Sequence, residues 1–183
     1  MILTLIRHGQ TEGSLRDLYY GAADIPVLPE SLAELHAHAA QYPTAPRYFT
    51  SGLVRTEQTL ALLFGDVPHE RRPEFREIDF GKFELHTYEQ LKDDPEYIAW
   101  ITGDNLRNVP PGGESGEAMT RRVLEAFARL KAEDIPTVLI THGGVIAAIM
   151  AHEFPAEKKS RYQWQPEPGH GYAILEAGYR EIP

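Results

Sequence analysis

The chain has 183 residues, 42% hydrophobic and 25% charged, which suits one globular domain rather than a disordered or fibrous polymer. It contains no cysteine, which removes disulfides, thiolate nucleophiles and cysteine-ligated metals from consideration. Its formal net charge of −9 argues against broad contact with nucleic acid or an anionic membrane, because both recruit basic surface, although a small anion can still be held by a few convergent arginines and backbone amides.

Residues 2–6 read as an apolar strand that runs straight into Arg7-His8-Gly9. No apolar run reaches the roughly 18 residues of a membrane span. The opening segment also lacks the basic region, apolar stretch and small-residue cleavage site of an export signal, so a cytoplasmic protein is expected. A glycine-containing loop passes Pro26 and Pro29, a helix is expected over about 30–41, and a short strand at Arg47–Thr50. Residues 53–64 have helical character, with Leu53, Leu60 and Phe64 apolar, Arg55 near the start and Gly65 as terminator. Residues 74–85 mix aromatic, acidic and glycine positions irregularly, and 87–101 predict a helix interrupted near Pro95.

The turn Pro110-Pro111-Gly112-Gly113 closes that stretch, so about 74–113 is expected to be a lid-like insertion in a single domain spanning 1–183. Met119, Val123, Phe127 and Leu130 then recur at spacings of three and four, marking an amphipathic helix with Ser115 placed to cap it. A second strand, His-Gly and helix unit occupies 136–152, and a late strand is expected at 172–176. Strands alternating with helices predict an α/β fold, a three-layer α/β/α sandwich on a mainly parallel sheet, with strand order left open.

The near-duplication of Leu5-Ile6-Arg7-His8-Gly9 by Leu139-Ile140-Thr141-His142-Gly143 carries the sharpest chemistry. If both runs belong to one parallel sheet, both histidines leave it at the carboxyl edge, where open α/β sheets form their ligand crevice. A neutral imidazole can attack phosphorus and carry the phosphoryl group, while a neighbouring guanidinium holds its oxygens. Arg55, just after another strand end, joins the same edge.

Four ordered segments carry a resemblance. Leu5-Ile6-Arg7-His8-Gly9-Gln10-Thr11-Glu12, Thr50-Ser51-Gly52-Leu53-Val54-Arg55-Thr56-Glu57, Phe75-Arg76-Glu77-Ile78-Asp79-Phe80-Gly81 and Ile140-Thr141-His142-Gly143-Gly144 together resemble the histidine phosphatase superfamily, which includes the cofactor-dependent phosphoglycerate mutases. The resemblance implies a phosphoglycerate mutase-like fold, His8 as the phosphorylated nucleophile, Arg7, Arg55 and His142 around the phosphoryl group, and Glu77 as proton donor. It further implies Gly143, Thr11, Ser14 and Gly21 as substrate contacts, with no metal or other cofactor. A carboxyl group in the role of Glu77 would protonate the leaving alkoxide and then activate water against the phosphohistidine.

The chain departs from the family at several positions. Gly13-Ser14 stands where the family has an aromatic residue and asparagine, Gly52 replaces a common proline, Leu28 and Ser31 replace threonine and glycine, and Leu85 replaces a common glycine. The segments Tyr20-Gly21-Ala22-Ala23-Asp24-Ile25-Pro26-Val27 and Pro110-Pro111-Gly112-Gly113-Glu114-Ser115 look like those of a bacterial branch of the family, the α-ribazole 5′-phosphate phosphatases of cobalamin assembly.

That resemblance and the short chain favour hydrolysis of a small phosphorylated metabolite. The alternatives are a phosphoglycerate mutase, a broad sugar-phosphate phosphatase, a non-catalytic phospholigand-binding protein and a metal-dependent hydrolase. A homodimer is the assembly entertained. His36 and His38, two apart on a helix, point in different directions and do not make a metal pair. His69, His152 and His170 read as surface or packing residues, His86 is the one to watch for substrate contact, Arg122 reads as a helix-surface charge, and the Tyr19-Tyr20 pair suits core and ligand equally.

Overall fold

The computed structural model describes residues 2–104 and 106–183. Strand β1, Leu3–Arg7, is inaccessible on both faces over its first four residues, as a continuous apolar run in the middle of a parallel sheet must be. A short helix α1, Glu12–Leu15, follows, then α2, Pro29–His38, β2, Arg47–Thr50, and α3, Val54–Phe64. Strand β3 is only Glu70–Arg71, with α4, Tyr88–Leu91, and α5, Pro95–Ile101, beyond it. The second half contains α6, Gly116–Ala132, β4, Thr137–Thr141, α7, Gly143–Glu153, and the hairpin β5, Gly171–Leu175, with β6, Gly178–Ile182.

The six strands form one sheet in the order β3-β2-β4-β1-β5-β6. The first four are mutually parallel, β5 runs antiparallel to β1, and β6 at the edge runs antiparallel to β5. Strands β1 and β4 are direct neighbours, with Ile6 opposite Ile140 and Arg7 opposite Thr141. The duplicated segments therefore leave the sheet side by side and in register.

Alternation along the central strands splits their side chains between two cores. Leu3, Leu5 and Leu139 face Met119, Val123 and Phe127 of α6 and the apolar residues of α7, while Ile6, Val138 and Ile140 face Leu35, Leu60 and Leu63 of α2 and α3. This is the three-layer α/β/α sandwich expected, held by apolar burial on both sides of the sheet.

The stretch between β3 and α6 has a cluster of its own, with Phe83, Leu91 and Tyr97 buried and Tyr19, Phe80 and Trp100 packed on them. The interrupted helix expected over 87–101 is two helices. Thr87 and Gln90 cap the start of α4, and Asp94 caps α5, where Pro95 takes a first-turn position that needs no backbone donor. The helix expected over 30–41 ends at His38 and tightens into a 3₁₀ turn at Ala39–Gln41. β3 and β6 were not foreseen, because two exposed residues carry no periodic signal and Gly-Tyr-Arg-Glu-Ile is polar for an edge strand paired on one side.

Candidate active site

Register brings His8 and His142 together: their ring centroids lie 5.2 Å apart at an interplanar angle of 61°. Both side chains are buried. The His8 backbone amide donates to the Thr141 carbonyl at 3.0 Å, extending the β1–β4 pairing past the strand ends. His8 Nδ1 lies 2.8 Å from the Gly9 carbonyl oxygen, so it carries the proton and donates, which leaves the Nε2 lone pair free as a nucleophile. Burial, then the cation of Arg55 and that of Arg7, hold the His8 pKa well below the ordinary imidazole value, against the Gly9 hydrogen bond, which raises it.

His142 is held from both sides. Arg55 Nε, which can only donate, reaches Nδ1 at 3.4 Å, so the proton sits on Nε2 and is donated to Ser51 Oγ at 2.8 Å. Burial depresses its pKa well below normal, with Arg55, His8 and Arg7 adding to the effect. The pair is thus neutral, and two neutral imidazoles share the cavity with two guanidinium groups.

Arg55 sits in the first turn of α3 and is wholly buried. Its Nη1 donates to the Ala23 carbonyl at 2.7 Å and Nη2 to the Gly21 carbonyl at 2.8 Å, and its guanidinium lies 5.3 Å from the centroid of the Tyr20 ring. Arg7 donates from Nη1 to the Pro166 carbonyl at 2.8 Å, whereas its buried Nε has no hydrogen-bond partner. An orphaned donor costs about 1–3 kcal/mol, and an anion beside His8 would satisfy it.

Glu77 comes from an irregular loop yet is fixed at both carboxylate oxygens. Oε1 accepts from the Ile78 amide at 3.0 Å and Oε2 from the Gly144 amide at 2.8 Å, so the carboxylate caps the positive end of α7. A Cβ on Gly144 would stand 2.4 Å from Oε1, so only glycine admits this approach. Arg122, expected as a surface charge, holds the loop instead: it donates to the carbonyls of Glu74, Arg76 and Glu77 and pairs with both oxygens of Glu114.

One cavity of about 650 Å³ is lined by Arg7, His8, Arg55, Glu77, His142 and Gly143, all named from the sequence. Tyr19 and Tyr20 line it too, which places both tyrosines of the pair at the site, with the Tyr20 ring 6.2 Å from that of His8. Thr11, Ser14 and Gly21 do not line it. Thr11 Oγ1 accepts from the Ser14 amide and Ser14 Oγ accepts from the Thr11 amide, a reciprocal cap on α1 that consumes both side chains. The Gly21 amide is taken by the Glu84 carboxylate. His86 is exposed, bonds the Glu84 carbonyl and stays outside the cavity. His152 does reach the cavity, where it was expected only to pack.

The sequence gives no sign of the roles of Ser51 and Glu84, and marks Arg122 only as a surface charge. Ser51 follows β2 within the Thr50–Glu57 motif, but a lone hydroxyl carries no signal; Arg122 and Glu84 act on backbone groups distant in sequence. Among the described residues no group of three or more acidic or histidine side chains is arranged to hold a metal ion.

The histidine phosphatase superfamily (branch 1) matches the chain over residues 3–179. An adenosylcobalamin/alpha-ribazole phosphatase from Salmonella typhimurium is 34% identical over 182 residues, covering 95% of this chain and 90% of that protein. A 2,3-bisphosphoglycerate-dependent phosphoglycerate mutase from Xanthobacter autotrophicus is 29% identical, covering 80% of this chain and 74% of its own. The crystal structure of the alpha-ribazole phosphatase from Shigella flexneri superposes with a TM-score of 0.87 at 26% identity, covering 100% of this chain and 96% of the other.

Proposed function

The chain belongs to the histidine phosphatase superfamily, and we propose that it hydrolyses a phosphomonoester through a phosphohistidine on His8. The observation that carries this is the pair of neutral imidazoles sharing one cavity with Arg7 and Arg55, on which the Glu77 carboxyl group also opens.

In the first half-reaction His8 Nε2 attacks phosphorus, a P–N bond forms and the P–O bond to the leaving group breaks. Negative charge spread over the three equatorial oxygens is met by Arg7 and by Arg55, which the neutral His142 holds through Nδ1, so catalysis here is positioning plus fixed electrostatics. Glu77, entering as the carboxylic acid, gives its proton to the departing oxygen. In the second half-reaction the Glu77 carboxylate takes a proton from water, the hydroxyl oxygen attacks phosphorus and the P–N bond breaks, returning His8 neutral and Glu77 protonated.

The cavity exceeds what a phosphoryl group fills. It is also walled by Leu106, Met119, Leu124, Ala148 and Ala151, with Arg161 lining it as well. Such walls favour a leaving group with a bulky apolar body over a small, doubly charged one. That preference, with the relatives named as alpha-ribazole phosphatases, makes α-ribazole 5′-phosphate the substrate we favour and hydrolysis the favoured outcome over phosphoryl return. No helix among the described residues is long and apolar enough to cross a membrane.

Phosphate release from α-ribazole 5′-phosphate, 4-nitrophenyl phosphate and 3-phosphoglycerate tests the reading, together with alkaline denaturing quench of labelled enzyme. Preferred turnover of the first ester and an acid-labile, base-stable phosphoenzyme absent from His8→Ala are expected. Undiminished turnover by His8→Ala would overturn the mechanism, and isomerisation of 3-phosphoglycerate faster than any hydrolysis would replace the phosphatase with a mutase.

A further inference from the structure

Glu84 presents a carboxylate to the back of the active site, and among the described residues no basic side chain forms a salt bridge with it. Backbone amides hold it instead. Oε1 accepts from Gly21, Ala22 and Phe80 at 3.0, 3.0 and 2.9 Å, and Oε2 from Gly21 and Ala23 at 3.0 and 3.1 Å. Successive amides converging on one anion form a nest, here filled from within the chain rather than by a ligand.

The other end of one of these peptides, and the carbonyl of the next residue but one, face Arg55. The unit joining Gly21 to Ala22 sends its N–H to Glu84 and its C=O to Arg55 Nη2 at 2.8 Å, and the Ala23 carbonyl takes Nη1 at 2.7 Å. A trans peptide holds N–H and C=O in opposite directions, so fixing the amide on a carboxylate fixes the carbonyl and polarises it toward the guanidinium. There is no slack behind the loop, because a Cβ on Gly21 would stand 1.6 Å from the Ile78 carbonyl oxygen.

We infer that Glu84 is a positioning residue: it sets the orientation of the Arg55 guanidinium through the backbone of Gly21 to Ala23, without touching substrate. This rests on the reading of Arg55 as a phosphoryl-binding group. Glutamine at position 84 keeps the size but offers one acceptor oxygen, and its NH₂ would face at least one backbone N–H donor-to-donor.

The test is a double-mutant cycle in kcat/KM with 4-nitrophenyl phosphate, using Glu84→Gln, Arg55→Ala and the pair, with orthovanadate inhibition as a second readout and circular dichroism to confirm folding. Displacement of a phosphoryl-holding group by a fraction of an ångström to one ångström predicts that Glu84→Gln lowers kcat/KM about 10- to 100-fold and weakens vanadate by a similar factor. Action through Arg55 predicts that the pair is within about twofold of Arg55→Ala alone, the signature of coupled sites. Losses that multiply, or full kcat/KM in Glu84→Gln, would overturn the inference; should that variant fail to fold, the cycle is run with Glu84→Asp, too short to reach all four amides. Full activity of Arg55→Ala would instead defeat the underlying reading of the site.

Discussion

The phosphoryl half of the cavity and its leaving-group half are built by different physics. His8 and His142 project from adjacent, in-register strands at the centre of the sheet, so their 5.2 Å separation follows from the backbone ladder and the burial behind it. Glu77 stands on a loop without regular structure, and its place is set by side chains that bind backbone: Arg122 on three carbonyls, and its own carboxylate on the Ile78 and Gly144 amides. A sheet edge positions groups by cooperative repetition. The loop relies on a few charge-assisted bonds, each individually replaceable and each individually exposed to loss.

This contrast can be broken first at the nucleophile. His8→Ala is expected to remove the phosphoenzyme and at least about 10³-fold of kcat, while the fold persists because the strand pairing is backbone. Glu77→Gln is expected to cost about 10²- to 10⁴-fold with alkyl phosphates, whose leaving groups need a proton, and far less with 4-nitrophenyl phosphate. Equal loss on both esters would show that Glu77 positions rather than protonates.

Arg122→Met probes the loop half without touching the sheet edge. Loss of its hydrogen bonds is expected to lower unfolding free energy by about 1–3 kcal/mol in urea titration, and to lower kcat on alkyl phosphates about tenfold by releasing Glu77. If kcat falls equally on 4-nitrophenyl phosphate, the arginine supports both halves and the contrast fails.

The sheet half should show its own pH signature. His8 and His142 have folded pKa values depressed below an unfolded value of about 6.5, so their neutral forms are the ones compatible with the fold. The unfolded chain therefore binds more protons below that value. Their contribution to stability is full above about pH 6.5 and is lost as pH falls through 6.5 toward the depressed folded values, so Tm should drop on acidification. Replacing either histidine by alanine should flatten that drop; an unchanged slope would mean that the imidazoles are charged when folded.

The smallest effect lies at Leu85, which takes a left-handed backbone with φ of 62° where the family has glycine. Leu85→Gly should stabilise by about 0.5–1 kcal/mol, since strain of about 1–2 kcal/mol is partly offset by the entropy of glycine. An unchanged urea midpoint would mean that the leucine side chain, half exposed, already compensates.

Arg7, His8, Arg55 and His142 were legible because short, ordered motifs follow apolar strands, and a strand's end is a fixed point in an α/β sheet. Thr11 and Ser14 were legible only as polar residues nearby; local geometry turned them onto each other at the α1 cap, as short hydroxyl side chains do at a helix start. Gly21 was placed at the right segment and given the wrong partner, since the carboxylate that takes its amide is 63 residues away. The expected late strand was found, but its companion β6 pairs on one side and carries too little apolar alternation to be read.

The residues by themselves determined the layered α/β architecture and the chemical type of the site, because burial periodicity and the arginine–histidine–glycine motif are local properties of the chain. Only tertiary structure decided that β1 and β4 are neighbours, that Arg122 and Glu84 serve the site, and which peptide groups they hold. Those outcomes depend on contacts between distant segments, where one carboxylate or guanidinium is chosen by the geometry of the backbone groups it satisfies rather than by anything adjacent to it in sequence.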